Sequence, residues 1–428
     1  MTQTYRASSL DMLRSDSRIV TVLGPADFGD LARVRSRVLA LASIGPATRL
    51  GLRADQSSAG WVYEPERVVE HIVEGPAVDH EQLAKELTEF SHASVPEITL
   101  RIRLAGRYLF LDLNHGIGDA LLPVDLFAYL ADARPDAPLP AWASRAIDGH
   151  PLRKALLRWI VRNPRKVFDT ILDRVRPGPN PEYAATTDTA APDTASPTAC
   201  RPWAPSAAVA TVVTQSGTTD AIRRWRESHL PGASVSAVMC AAVAAAFART
   251  SLSLDRSAAF LFDCRRYLPP STVVLGNFAA GIRFSDIDPT SAGEVHAALS
   301  GAIAKGRPIA SATISTIKYK REHKAVSGVS ADRVPVRPRV QLMYSDLGRV
   351  RQLEQVSWVA EPADRAFFVI ADPGLPESVM ITMETIGSVV FVSASFHDNV
   401  FDRHTVQAAL DLVAANPLAL LAPQEKTA

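Results

Sequence analysis

Strict alternation over residues 97–104 constrains this chain more than any other feature. Ile98, Leu100, Ile102 and Leu104 interleave with Glu97, Thr99, Arg101 and Arg103, a period of two that suits a half-buried strand. Ala105-Gly106 supplies a turn, and the apolar run 108–113 comes back as the partner strand. That second strand ends on Asn114-His115-Gly116-Ile117-Gly118-Asp119. The hairpin therefore delivers a histidine to a turn loosened by two glycines, with an aspartate four positions later.

The elements around the hairpin are mixed. Residues 19–23 read as a strand, followed by Phe28, Leu31, Val34, Val38 and Leu41 at helical spacing with Arg33, Arg35 and Arg37 facing outward. Residues 49–52 and 61–63 read as short strands, and Asp79 with Gln82 forms a capping-box pattern ahead of a helix. After the hairpin, 120–131 continues as a helix with Pro123 in its first turn. Residues 153–176 are basic and helical. Seven prolines among Ala, Thr, Ser and Asp then mark 177–205 as a linker. The second half carries strands at 208–214, 258–264, 340–345, 367–370, 379–384 and 389–396. Its helices are expected from 219, from a cap at Ser234, at 294–305 and at 403–414. This divides the chain into subdomains 1–176 and 206–428. Neither half shows the strict βα alternation of a doubly wound sheet.

With 428 residues, 47% hydrophobic, the chain can bury two domain-sized cores. Forty-six Lys+Arg against 45 Asp+Glu leave a net charge of +1, a poor field for a polyanion, so nucleic acid is not an expected partner. Cys200, Cys240 and Cys264 are odd in number and lack metal-like spacing, which fits a reducing compartment. The first residues lack the pattern of a signal peptide. The most apolar segment, 235–247, is too short to span a bilayer. A cytoplasmic protein without a membrane span is expected.

A neutral histidine beside a flexible turn suits the removal of a proton from a hydroxyl or amine. In acyl transfer it needs no nucleophile of its own, because the deprotonated acceptor attacks a thioester directly. Gly116 and Gly118 permit a sharp bend and close approach. Asp119 has two readings, a contact to the imidazole or an ion pair with an arginine elsewhere. An isolated HxxxD also occurs by chance in strands that bury a histidine. Its context decides between these readings.

Residues 114–120 resemble the HHxxxDG signature of the chloramphenicol-acetyltransferase-like, CoA-dependent acyltransferases. That superfamily includes peptide-synthetase condensation domains, plant BAHD acyltransferases and mycobacterial polyketide-associated acyltransferases. Residues 274–284 (VLGNFAAGIRF) resemble its VGNFxNxxPLR segment, 261–269 (LFDCRRYLP) its arginine-bearing strand, and 344–348 (YSDLG) its SNxG strand end. The resemblance implies an α/β fold of mixed sheets, in which two similar subdomains form a V-shaped pseudo-dimer around a central channel. It also implies His115 as general base, with Asp119 paired to Arg265 (or else Arg266) and the turn supported by Gly116 and Gly118. Asn114, Gly276, Asn277, Phe278 and Ser345 would belong to the substrate channel, with Ser345 a candidate for the oxyanion. The donor would be acyl-CoA or an acyl-phosphopantetheine carrier, with no permanently bound cofactor and no metal. The acceptor would be a small molecule or lipid offering a hydroxyl or an amine, an acyl carrier protein is a candidate partner, and a monomer is expected.

Asn114 stands where the signature has its first histidine, and Ala120 where it has glycine. These departures keep open a non-catalytic binding relative, and an amide-forming condensation enzyme is the other rival. Among secondary features, the basic stretch from Arg153 to Arg176 could receive the phosphates of CoA or the acidic face of an acyl carrier protein, or simply be a solvated helix near the linker. Lys318, Lys320, Arg321 and Lys324 read as a loop, either a mobile one over the channel or a plain surface one. His397, Asp398, Asp402 and His404 match no zinc pattern. Serine-hydrolase, P-loop and dinucleotide fingerprints do not occur.

Overall fold

The computed structural model describes residues 3–134, 136–145, 147–164, 199–322 and 331–421. The strands before residue 164 are β1 (Gln3–Arg6), β2 (Arg18–Gly24), β3 (Leu52–Arg53), β4 (Gly60–Tyr63), β5 (Ile72–Glu74), β6 (Leu100–Ala105) and β7 (Tyr108–Asn114). Those after it are β8 (Cys200–Pro202), β9 (Ala207–Val213), β10 (Ser253–Asp263), β11 (Ala279–Phe284), β12 (Arg333–Pro335), β13 (Arg339–Arg349), β14 (Ala366–Ala371), β15 (Ser378–Ile386) and β16 (Val389–His397).

The alternating hairpin is β6 and β7, antiparallel, with Leu100 opposite Leu113 and Leu104 opposite Leu109. It lies within a mixed five-stranded sheet ordered β14-β2-β7-β6-β5. Val34, Val38 and Leu41 from helix Leu31–Ala42 and Leu87 from helix Leu83–His92 are buried in the same core as Leu109 and Leu111. Asp112 is a buried carboxylate within β7. Arg18 and Arg101 pair with it at 2.5 and 3.0 Å, and Ser94 donates at 2.7 Å.

A six-stranded mixed sheet, β11-β10-β13-β15-β16-β9, forms the second half. Helix Val235–Ala248 packs on one face of it, capped by Ser234 through the Ala237 amide at 3.1 Å. Its alanines keep the side-chain layer thin, so Ala237, Ala241, Ala242 and Ala244 are almost wholly enclosed.

One strand crosses between the halves. β14, from beyond residue 360, pairs antiparallel with β2 at the edge of the first sheet. Its outward amides reach the second sheet, Val369 donating to Ser393 Oγ and Ala371 to Ser395 Oγ, both at 3.1 Å. Val209 of β9 likewise donates to Thr88 Oγ1 of helix Leu83–His92 at 3.3 Å.

Several local expectations need correction. Arg37 is 9% exposed rather than outward. Its guanidinium donates to the carbonyls of Tyr129, Leu130, Asp132 and Arg134, satisfying the end of helix Leu121–Leu130. Residues 49–52 hold only the start of a two-residue strand, because Arg49 takes a left-handed backbone (φ 66°) and turns inward. Asp79 makes no side-chain cap, since a 3-10 turn at His80–Gln82 precedes the helix. Lys318, Lys320 and Arg321 lie on helix Arg307–Glu322, not a loop; Lys324 lies outside the described residues. The expected helix over 153–176 is described as Pro151–Arg162, with 165–176 outside the described residues. Of the linker, only 199–205 is described, and its residues 200–202 pair with β12.

Candidate active site

β7 ends between two neighbours that hold its last residues. Asn114 donates its amide to Thr99 O and His115 to Ser17 O, both at 2.8 Å. The chain then tightens into a 3-10 turn, His115–Ile117. Asn114 caps this turn, Oδ1 accepting from the Gly116 amide and Nδ2 donating to Ser15 O, each at 2.8 Å. Its side chain is thus committed to the turn and buried. A Cβ on Gly116 would lie 2.8 Å from Asn114 Oδ1 and 3.0 Å from Ser15. Gly118 is extended, and a Cβ there would press on Leu122 at 2.8 Å. Both glycines are required by space rather than by dihedral angle.

His115 is half-buried, and its Nδ1 lies 3.2 Å from Gly118 O. A carbonyl can only accept, so this contact assigns the ring proton to Nδ1 and the free lone pair to Nε2. Burial, reinforced by the nearby charge of Arg14, lowers the imidazole pKa to about 4. The ring is therefore neutral at physiological pH.

Asp119 lies at the start of helix Leu121–Leu130 and meets Arg265 from the short turn after β10. Arg265 Nη1 contacts Oδ2 at 2.8 Å and Nη2 contacts Oδ1 at 3.2 Å, a two-point fork. The same guanidinium donates to the carbonyls of Val274 and Gly276, and Asp263 accepts at 3.2 Å. Asp119 also accepts from the Phe278 amide at 3.3 Å. Arg266 instead donates to Asp263 O, so it is not the partner of Asp119.

A second buried ion pair lies beneath the turn. Arg49 and Asp11 meet at 2.9 and 3.1 Å, and Arg49 also donates to Tyr5 Oη and to Ile117 O. Asp11 accepts from the amide and the side chain of Asn277 at 3.0 and 3.3 Å. Asn277 Nδ2 in turn donates to His115 O at 2.7 Å. Despite complete burial, Asp11 stays below the usual carboxylate range, because Arg49, Ser8 and the Asn277 amide outweigh the desolvation that pushes it up. Residues 276–278 therefore clamp the turn. Gly276 is needed because a Cβ would overlap the Arg49 guanidinium. Phe278 is wholly enclosed in a small core with Trp159, Leu268 and Ile309. Ser345 is half-buried in β13 opposite Thr382 of β15.

Sequence reasoning missed Asp11 and Arg49. Asp11 had one signal, the Ser8-x-x-Asp11 pattern, which does form a capping box with Ser8 Oγ at 2.7 Å from the carboxylate. Arg49 had none. Asp125, on the helix that follows the turn, is raised to about 6 by burial while accepting from Trp142 and Gln352. Among the described residues no cluster of His, Cys, Asp or Glu is suited to hold a metal. His397 is buried against the Ser206 amide, and Asp402 caps helix Arg403–Ala415.

Three solved structures share this architecture along nearly the whole chain. Trichothecene 15-O-acetyltransferase from Fusarium sporotrichioides superposes with a TM-score of 0.58 at 10% identity, covering 98% of this chain and 96% of that one. The first condensation domain of the calcium-dependent antibiotic synthetase, in complex with a substrate analogue, gives 0.57 at 14% identity, with 98% and 95% covered. The condensation domain of the monacolin K polyketide synthase gives 0.56 at 15%, with 98% and 96% covered. No protein-family model and no curated protein matches the sequence. The chain thus shares the mixed α/β fold of these three structures.

Proposed function

We propose that the protein is an acyltransferase with His115 as general base. The observation that carries this reading is the imidazole itself, neutral at physiological pH and tethered through Nδ1 to Gly118 O, with its Nε2 lone pair free. In the proposed step Nε2 takes the proton of an acceptor hydroxyl as that oxygen attacks a thioester carbonyl. The tetrahedral oxyanion then collapses, the C–S bond breaks, and the imidazolium returns the proton to the departing thiolate. Ser345 is the candidate hydrogen-bond donor to the oxyanion. No step calls on a metal or a redox group.

The donor in this proposal is acyl-CoA or an acyl-phosphopantetheine carrier. The acceptor is a small molecule or lipid bearing a hydroxyl, or an amine in the amide-forming variant. Support comes from the shared fold, since the neighbours named above comprise an O-acetyltransferase and condensation domains. The proposal further takes the chain as a monomer of two subdomains, 1–176 and 206–428, joined by 177–205. Asp119, Arg265, Gly116 and Gly118 shape the site without exchanging protons in it.

His115→Ala should keep the circular dichroism spectrum and melting temperature while lowering acyl transfer by about 10²-fold or more. Intact-mass detection of acylated acceptors with a panel of acyl-CoA donors measures this. Unchanged turnover would remove the histidine from the mechanism.

A further inference from the structure

We propose that the outer face of helix Pro151–Arg162 is a docking surface for an anionic lipid bilayer. The helix, PLRKALLRWIVR, contains six apolar and five basic or proline positions besides Ala155 and no acidic residue at all. It is amphipathic on two sides. Ala155 and Trp159 turn inward to the small core that holds Phe278 and Ile309, with Leu152 and Leu156 packed beside them. Leu157, Ile160 and Val161 instead face outward, 53%, 37% and 77% exposed. They fall within an arc of about 100° on the helix circumference, since each residue advances about that angle. Lys154, Arg158 and Arg162 occupy the adjoining arc, and Arg153 lies within the apolar one. Lys154 pairs with Asp148 at 2.6 Å, whereas Arg153, Arg158 and Arg162 have no ion-pair partner among the described residues.

An exposed apolar stripe bordered by unpaired arginines is costly in water and has a natural complement. Large aliphatic side chains enter the acyl–headgroup boundary of a leaflet while the arginines remain among anionic headgroups. The charge pattern selects an anionic over a zwitterionic surface. The stripe of three large side chains favours lipid over an acidic protein helix, which would meet the arginines but leave the stripe in water. Among the described residues no helix is long and apolar enough to cross a membrane, so the contact is peripheral. The helix packs on Phe278, which follows Asn277, the residue bonded to His115 O.

The full chain should float with phosphatidylcholine vesicles containing about 30 mol% phosphatidylglycerol, and bind pure phosphatidylcholine vesicles about a hundredfold less. Raising salt to about 0.5 M should weaken that binding. Leu157→Glu/Val161→Glu and, separately, Arg153→Gln/Arg158→Gln/Arg162→Gln should each reduce flotation at least tenfold while circular dichroism and melting temperature stay unchanged. Absence of flotation with the wild-type protein would overturn the proposal. So would flotation that survives both multiple variants. Light scattering provides the third arm: a concentration-dependent dimer abolished by Leu157→Glu/Val161→Glu would assign the face to a second copy of the chain instead.

Discussion

At His115 and Asp119, four residues apart, one turn separates two electrostatic tasks. The histidine loses its charge because it is drawn away from water near Arg14, whereas the aspartate is held between the guanidinium nitrogens of Arg265 and two backbone amides. If the neutral imidazole is the working base, the acid limb of kcat/KM should inflect near pH 4 rather than near the ordinary histidine value of 6.5. The sign follows from the lowered pKa: the base form persists as pH falls below 6.5 and is lost only through about 4. A pH–rate profile of the wild type, collected where the fold remains intact, measures it. Asp119→Ala should behave differently from His115→Ala. It removes the fork but leaves the Arg265 guanidinium with Asp263 and the carbonyls of Val274 and Gly276, costing about 1–3 kcal/mol of stability as well as turnover. Urea denaturation followed by circular dichroism would show that cost, whereas His115→Ala should show little.

Residues 276–278 make the clearest case at the scale of the element. This segment has almost no secondary structure of its own, yet it makes backbone and side-chain bonds to Asp11, His115, Arg265 and Asp119. Gly276→Ala should therefore destabilise by about 1–3 kcal/mol, the usual cost of overpacking, since Arg49 is fixed by Asp11 and cannot withdraw. Differential scanning calorimetry would report it as a lowered melting temperature. A compensating Arg49→Lys should not rescue the variant, because a lysine cannot reproduce the two-point contact with Asp11. The hairpin is the opposite kind of element. Its register follows from alternation and one glycine turn, and the sheet preserves it with Leu100 opposite Leu113.

Over the whole molecule, β14 joins the two sheets. It is donated by the C-terminal half to the edge of the first sheet, where it covers β2 and spends its outward amides on Ser393 and Ser395. Ser393→Ala/Ser395→Ala should strand the buried Val369 amide, at about 1–3 kcal/mol, and the partly buried Ala371 amide at less. Because both halves share that strand, loss should appear in both together. Fluorescence from Trp61 and Trp142 in the first half and Trp225 in the second, isolated by single-tryptophan variants, should report one common unfolding midpoint. Separate midpoints would show halves that unfold independently.

Much of the site was legible because its signals are local. Alternation, a glycine turn and a strand-end histidine act over a few residues, and the helix following the turn announced itself in the same way. A resemblance of four short segments supplied the fold and a candidate pairing of Asp119 with an arginine. Tertiary structure decided the rest. Nothing within several residues of Arg37 or Arg49 marks either as buried, because their partners are carbonyls and a carboxylate brought near only by folding. The alternation of the sequence likewise cannot say that β14 belongs to the other sheet, or that Asn114 and Phe278 are buried beside the turn. Periodicity records which side of a strand or helix is apolar, but not what that side will face. The Asp119–Arg265 fork, closed across 146 residues, exists only when both halves have packed.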